Sequence, residues 1–326
     1  MRWGAALGTL AGVALAAWLL ASYGVREVVD LLARAGWGIV AVVLFHWTQI
    51  LFSAFAWRAI ARPLPPQPSL GEFVMLRWIR EGVNALLPVA HLGGGVVAAR
   101  LLHRRGFRLV SAVAGSVGDI TMEVLTQILF TLIGLGLLAL LVGESGIPSY
   151  VLGAAAVALV GAAALVAGQW FGMTGLLERW IMQLSGRFGW TSPGEIAGLD
   201  ASIRALYRAP GPMAQACFNH SVSWLLGGIE VCLALHLLGH SVGFAEGMVI
   251  ESLGQASRAA GFAVPGAIGV AEGGLVLICH LFGLAPEVAI ALGLMKRLRE
   301  VALGVPALIA WHLLERRPAR SLETPA

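Results

Sequence analysis

Six apolar stretches, each long enough to cross a bilayer, constrain this chain more than any other feature. They run over roughly 3–23, 37–60, 109–142, 150–170, 213–239 and 286–314. A hydrocarbon core about 30 Å thick takes about 20 helical residues to cross. Inside it each backbone N–H and C=O must be satisfied within the protein, which a helix does. Composition agrees. Apolar residues make up 58% and charged residues 12%, against about 45–50% and about 25% in soluble domains. Mean hydropathy is +0.82. The chain therefore reads as an all-α, polytopic integral membrane protein forming a single membrane domain over 1–326. The first stretch follows Arg2 and is long for a secretory signal, so it reads as an uncleaved anchor.

Two further apolar segments are interrupted. Residues 72–105 pass through Asn84, Pro88 and Gly93, Gly94 and Gly95. Residues 245–283 pass through Gly261, Pro265, Gly266, Gly269, Gly273 and Gly274. Each reads as two half-length helices joined by a Pro/Gly break, in a re-entrant pair or a discontinuous helix. The structural breaks are assigned to Pro88, Gly94, Pro265, Gly266 and Gly273. With both segments returning to the side they enter from, fourteen of the 22 basic residues fall on one face, two on the other and six at membrane depth. The excess of Lys and Arg marks the cytoplasmic face, so both termini are expected to be cytoplasmic. The basic isoelectric point of about 9.4 then reflects topology, and nucleic acid is not expected as a partner. The connection over 171–211 reads as cytoplasmic amphipathic helix at the headgroups, and 315–326 as a mobile cytoplasmic tail. Cys217, Cys232 and Cys279 lack CxxC spacing and read as small packing residues.

A shift of 177 residues superposes uncommon residues. Trp47 falls on Trp224, Pro88 on Pro265, His103 on His280, Gly106 on Gly283, and Glu123 on Glu300. Asp119 falls on Lys296, and Glu81 on Arg258. The expected arrangement is a pair of pseudo-repeats, about 37–142 and 213–314. Three crossings separate the two breaks, so the second copy is expected to be inverted relative to the first.

The segment 286–314 carries Lys296, Arg297, Arg299 and Glu300 roughly ten residues from its start. Charges at that depth cost several kcal/mol unless paired or hydrated. The first half offers Arg77, Arg80 and Glu81 before its break, and Asp119 and Glu123 on one helical face. The second offers Glu251, Gln255 and Arg258 before its break and Glu272 after it. Counting these segments gives six basic and six acidic residues, enough for mutual neutralisation. Lys296, Arg299 and Glu300 share a face, and Arg297 is expected to point elsewhere. Two readings stay open and are compatible: a structural lattice of ion pairs, and a polar cavity for a lipid headgroup or coupling ion. The candidate binding residues are Arg77, Arg80, Glu81, Asn84, Asp119, Glu123, Arg258, Glu272, Lys296, Arg299 and Glu300. Glycines near the breaks offer backbone N–H groups to an anion or, equally, allow close helix packing. The histidines are scattered, and no nucleophile elbow, phosphate loop or dinucleotide fingerprint is present. No catalytic residues, metal or cofactor are expected.

Two motifs carry a resemblance. The stretch from Trp78 through Arg80, Glu81, Asn84 and Pro88 to Gly93, Gly94 and Gly95, and that from Phe262 through Pro265, Gly266 and Gly269 to Glu272, Gly273 and Gly274, resemble the lysylphosphatidylglycerol synthase transmembrane (flippase-like) superfamily. The stretches 118–127 and 296–300 look most like its hopanoid-biosynthesis-associated membrane proteins. The resemblance covers nearly the whole chain. It implies a lipid flippase-like transporter of a bacterial inner membrane, moving a hopanoid or related lipid across or out of that membrane through a midplane polar cavity. The implied partners are membrane lipids, hopanoid or anionic phospholipid, with lipid-biosynthesis or export proteins. The superfamily also holds bifunctional proteins with an aminoacyl-transfer domain; lipid aminoacylation is not implied by the residues up to Ala326. Where the superfamily has an acidic residue in its first Gly-Gly motif, this chain has Gly95. A non-transporting scaffold for lipid-synthesis enzymes and, third, an intramembrane lipid-modifying enzyme are the alternative readings.

Overall fold

The computed structural model describes residues 25–64, 68–87, 93–142, 198–260 and 269–316, with isolated helical positions at Gly153 and Ala156. Among these residues ten helices and no strand occur: α1 (Val25–Ala35), α2 (Gly38–Ile60), α3 (Leu70–Leu86), α4 (Gly93–Arg104), α5 (Leu109–Val142), α6 (Leu199–Tyr207), α7 (Pro210–Leu237), α8 (Phe244–Ala260), α9 (Val270–His280) and α10 (Pro286–Arg316). The expected spans 3–23 and 150–170 lie outside the described residues. So do most of the 171–211 connection, Pro88, Gly261, Pro265, Gly266 and everything after Arg316. The helix α10 includes Glu315 and Arg316, so the first two residues of the expected tail are helical.

Three helices, α2, α5 and α7, are long and apolar enough to cross a membrane. The helix α10 is 31 residues long, yet its central charges set its composition apart. Each interrupted segment is a pair of shorter helices, α3 with α4 and α8 with α9. Two of the assigned break glycines sit inside helices instead. Gly94 and Gly273 lie in the first turns of α4 and α9. The backbone departs from helical geometry at Gly269, with φ +80°. Glycine occupies that conformation without the Cβ clash other residues meet.

Both short helices end in the same way. The Gly106 N–H donates to His103 O at 2.9 Å and Phe107 N–H to Leu102 O at 3.3 Å. The Gly283 N–H donates to His280 O at 3.1 Å and Leu284 N–H to Cys279 O at 3.2 Å. Both glycines have positive φ, 90° and 71°. This is the Schellman cap, which satisfies two of the last carbonyls with a left-handed glycine. The two caps stand 177 residues apart, as do the first residues of α4 and α9 and those of α5 and α10.

Packing follows the same correspondence. The helix α2 packs along α7. The pair α3–α10 is matched by α8–α5, α2–α3 by α7–α8, α3–α4 by α8–α9, and α4–α5 by α9–α10. Apolar side chains gather in two clusters. One joins the start of α2 at Val42 and the end of α5 at Leu138 to the last turns of α7, to α8 and α9, and to the first half of α10. The other joins the end of α2 to α3, α4, the first half of α5, the start of α7 at Ala216 and the end of α10. Thus α2 and α10 lead from the first cluster to the second, and α5 and α7 lead back. A third, small cluster seats Leu199, Ile203 and Leu206, on one face of amphipathic α6, against the start of α5.

Polarity is distributed as in a protein surrounded by lipid. Asp119 is 0% exposed while Leu140 is 83% exposed. Outward Leu132, Ile133, Phe218, Leu225, Val305 and Ile309 are also exposed. A soluble protein leaves few apolar surfaces of that extent bare; in hydrocarbon they face their preferred solvent. The chain is an all-helical, multi-pass membrane protein.

The helices α3 and α10 approach closely at two glycines. A Cβ on Gly82 would lie 2.7 Å from Ala307 Cβ and 3.1 Å from Gly304 Cα. A Cβ on Gly304 would lie 2.6 Å from Leu86 Cδ1. Beside this seam the Trp78 indole N–H donates to the Leu303 carbonyl at 2.9 Å. The Gly82→Leu variant should lose about 1–3 kcal/mol of stability, the usual cost of overpacking, read as a lower thermal midpoint in detergent. Gly71→Ala, at the start of α3 with nothing within 4 Å of the new methyl, should hold or raise it.

Candidate functional site

The charges at membrane depth form three linked groups. In the first, α3 faces α5. The Arg77 guanidinium donates to both oxygens of Glu123, at 3.0 and 2.5 Å, the two-pronged geometry that suits Arg to carboxylates. Arg80, one turn along, donates to Asp119 and Glu123. The other Asp119 oxygen lies 3.0 Å from His220 Nε2 on α7. Spacings of three and four residues bring each pair onto one face of its helix, so two arginines meet two carboxylates at one level.

In the second group, α8, α9 and α10 meet. Arg258 donates to Glu300 at 2.5 Å, and Lys296 to Glu251. Gln255 donates to the other Glu251 oxygen at 2.8 Å. Arg297, expected to point elsewhere, joins this group: its Nε donates to Glu272 at 3.1 Å and its Nη1 to Glu300 at 3.0 Å. Its backbone position is off the shared face, but the long guanidinium arm swings back to α9.

The third group crosses from one half of the chain to the other. His46 on α2 stands between two carboxylates. Its Nδ1 lies 2.8 Å from Glu230 Oε2 on α7, and its Nε2 contacts Glu81 on α3. Glu230 also accepts from Gln49 at 2.6 Å and from Arg299 on α10. Glu230 is a seventh acid at this depth, so the even balance of six and six expected from the sequence does not hold. Neither His46 nor His220 was singled out by spacing. A lone acid within the apolar stretch 213–239 was the available signal for Glu230.

Between the groups lies a cavity of about 360 Å³, at the lower end of the range that holds small ligands. Eight sequence-predicted residues line it: Arg77, Arg80, Glu81, Asn84, Glu123, Arg258, Arg299 and Glu300. His46, Gln49, Ser53, Gln127, His220, Ser223 and Gln255 complete the polar wall. Ala85, Ala259, Ile120, Val124 and Trp224 give it apolar stretches. Asp119 is fully buried behind Arg80. Lys296 and Glu272 face a second space of about 20 Å³ beside Arg297, room for about one water.

Two of the glycine N–H groups near the breaks are already engaged. Gly94 N–H donates to Asn84 Oδ1 at 2.9 Å, and Gly269 N–H to Glu272 Oε2 at 2.7 Å. The side chains thus cap the starts of α4 and α9. A Cβ at Gly94 would strike the Arg80 carbonyl, so this glycine serves close packing of α4 on α3. Among the described residues no cluster of His, Cys, Asp and Glu is arranged to hold a metal ion. The His46 group is a bridge with the ring between its carboxylates, not three ligands about one point.

Removing one member of a buried pair strands the other, at a cost of about 3–5 kcal/mol. Lys296→Met should therefore lower the thermal midpoint sharply. Adding Glu251→Gln should restore most of the loss, a coupling that a double-mutant cycle reads directly.

Residues 5–307 match the family model described as the lysylphosphatidylglycerol synthase TM region. No curated protein and no solved structure matches the chain.

Proposed function

The chain belongs to the lysylphosphatidylglycerol synthase transmembrane family, and from that premise we propose that it moves a lipid between the leaflets of a bacterial inner membrane. Membership gives a membrane protein with a lipid-related role. The reading of transport rests on one observation: a polar cavity of about 360 Å³, walled by both halves of the chain and set between two apolar clusters. A headgroup crossing the bilayer needs such a polar station, while its apolar body stays in hydrocarbon. The substrate is a lipid with a polar head, a hopanoid or an anionic phospholipid. Exchange of a carboxylate for the headgroup takes place at Arg77, Arg80, Arg258 or Arg299, the cations that line the cavity.

The two halves form inverted pseudo-repeats. Three things support this: the 177-residue offset of helix starts and caps, the matched packing pairs, and the opposed directions of α2 and α7 and of α5 and α10. Hydrogen bonds follow the same exchange. His46 with Glu230 corresponds to Ser223 with Ser53, whose hydroxyls lie 3.1 Å apart. Inverted repeats with a site at their interface are a frequent construction in secondary transporters. Both termini are cytoplasmic in this reading, following the distribution of basic residues.

The test is a leaflet-resolved flipping assay on the full chain in vesicles, with tail-labelled phosphatidylglycerol and a labelled hopanoid as separate probes. Ala259→Trp fills the cavity without removing an ion pair. It should slow movement of the transported probe severalfold while the thermal midpoint holds. Equal rates in the folded variant and the parent would exclude the cavity as the route. A parent that moves neither probe, while retaining lipid-synthesis proteins on purification, would favour the scaffold.

A further inference from the structure

Both ring nitrogens of His46 face carboxylate oxygens, of Glu81 and of Glu230. An ionised carboxylate only accepts hydrogen bonds. Each of the two contacts therefore needs a proton of its own. Either the ring carries both, as an imidazolium between two carboxylates, or it carries one and a carboxyl carries the other. In both cases the group His46–Glu81–Glu230 holds two protons. With one, a contact sets two lone pairs against each other and opens.

The group is asymmetric in what happens next. Glu230 is held independently by Arg299 and Gln49 and is 2% exposed. The side chain of Glu81 is 33% exposed, lines the cavity, and its carboxylate is bonded to His46. Loss of a proton therefore frees Glu81. Two receptors stand ready. The Nε–H groups of Arg77 and of Arg299 are buried without a hydrogen-bond partner, and both guanidiniums are electrostatic neighbours of Glu81. Arg77 is one helical turn before Glu81 on α3, a spacing that favours the pair.

The cation that faces the ring is Arg299, which is itself bonded to Glu230. Of the helices packed on α2, α3 presents Glu81 and Arg77, α7 presents Glu230, and α10 presents Arg299, with Lys296 close to Glu230. The helix α5 presents Asp119 and Glu123, both occupied by Arg77, Arg80 and His220. Glu251 on α8 is held by Lys296 and Gln255. On α4, Arg100 and Arg104 bond Glu315, and His103 bonds the Phe107 carbonyl. On α6, Arg204 and Asp200 pair with each other.

The geometry points to a proton-binding site at His46, Glu81 and Glu230, whose exchangeable proton drives lipid movement. Resting on the transport reading above, it names the coupling ion. With the second proton bound, Glu81 stays on His46 and the cavity arginines are open to an anionic headgroup. Release of that second proton turns Glu81 onto Arg77 or Arg299 and displaces the headgroup. The proton enters from, and leaves to, the aqueous side to which the cavity is open, so the cycle needs no other reactant.

Two measurements on the full chain separate this site from the transport reading. The first uses no lipid gradient: nitrogen NMR of the histidine rings in the detergent-solubilised protein, with the His46 signals identified by their loss in His46→Gln. Between acid and alkaline pH the group should lose one proton, read as the loss of one ring N–H of His46 or as the Glu81 carboxyl carbon shifting to that of a carboxylate. A proton count that stays constant, or a His46 titration unchanged in Glu81→Gln, would overturn the site. The second uses vesicles of phosphatidylethanolamine and phosphatidylglycerol with tail-labelled phosphatidylglycerol as probe. The ratio of flipping rates with and without an imposed pH gradient should depart from one in the parent and return to one in Glu81→Gln. A ratio of one in a parent that flips would overturn the coupling and leave transport standing. A parent that titrates but never flips would overturn transport and leave the proton site.

Discussion

Burial of ionised side chains in a hydrocarbon-facing protein is the constraint on which the rest of this structure depends. Among the described residues seven acids and six bases lie between the two apolar clusters, and each of these bases is bonded to at least one of the acids. Single pairs of this kind rarely gain much net stability, since desolvation offsets attraction. What they do is penalise every arrangement in which a partner is missing. Arg80 requires α5 at the level of Asp119 and Glu123; Lys296 requires α8 at the level of Glu251; Arg299 requires α7 at Glu230. Helices that share lipid-like surfaces have no hydrophobic reason to choose a register. The ion pairs choose it for them.

The same constraint explains how a lattice and a cavity coexist. Pairs within α3–α5 and within α8–α10 close two sides of a polar room, and the His46 bridge closes a third. Its walls are already neutral in large part, so the headgroup proposed above would meet exchangeable partners and not an unopposed field.

Much of this was legible in the sequence. Charges in apolar helices are conspicuous, and spacings of three and four fix which of them share a face. The interrupted segments, the seven charged cavity residues between Arg77 and Glu123 and between Arg258 and Glu300, and the 177-residue correspondence all came from sequence pattern. His46 and Glu230 did not. Their equivalents under that correspondence are Ser223 and Ser53, so no repeated signal marks them, and only the packing of α2 on α7 brings them together. Arg297 escaped for another reason: helical phase places a Cβ, while six further atoms of side chain decide where the charge goes. Gly94 and Gly273 lie inside helices and not at the breaks, because glycine at a tight crossing, such as Gly94 under the Arg80 carbonyl, and glycine at a bend, such as Gly269, look alike in a string of letters.

The glycine seam between α3 and α10 has a mechanical meaning. Backbones held at that distance, with Trp78 fastened to the Leu303 carbonyl, transmit displacement and do not absorb it. A push on one is a push on the other, although they lie in different halves of the chain.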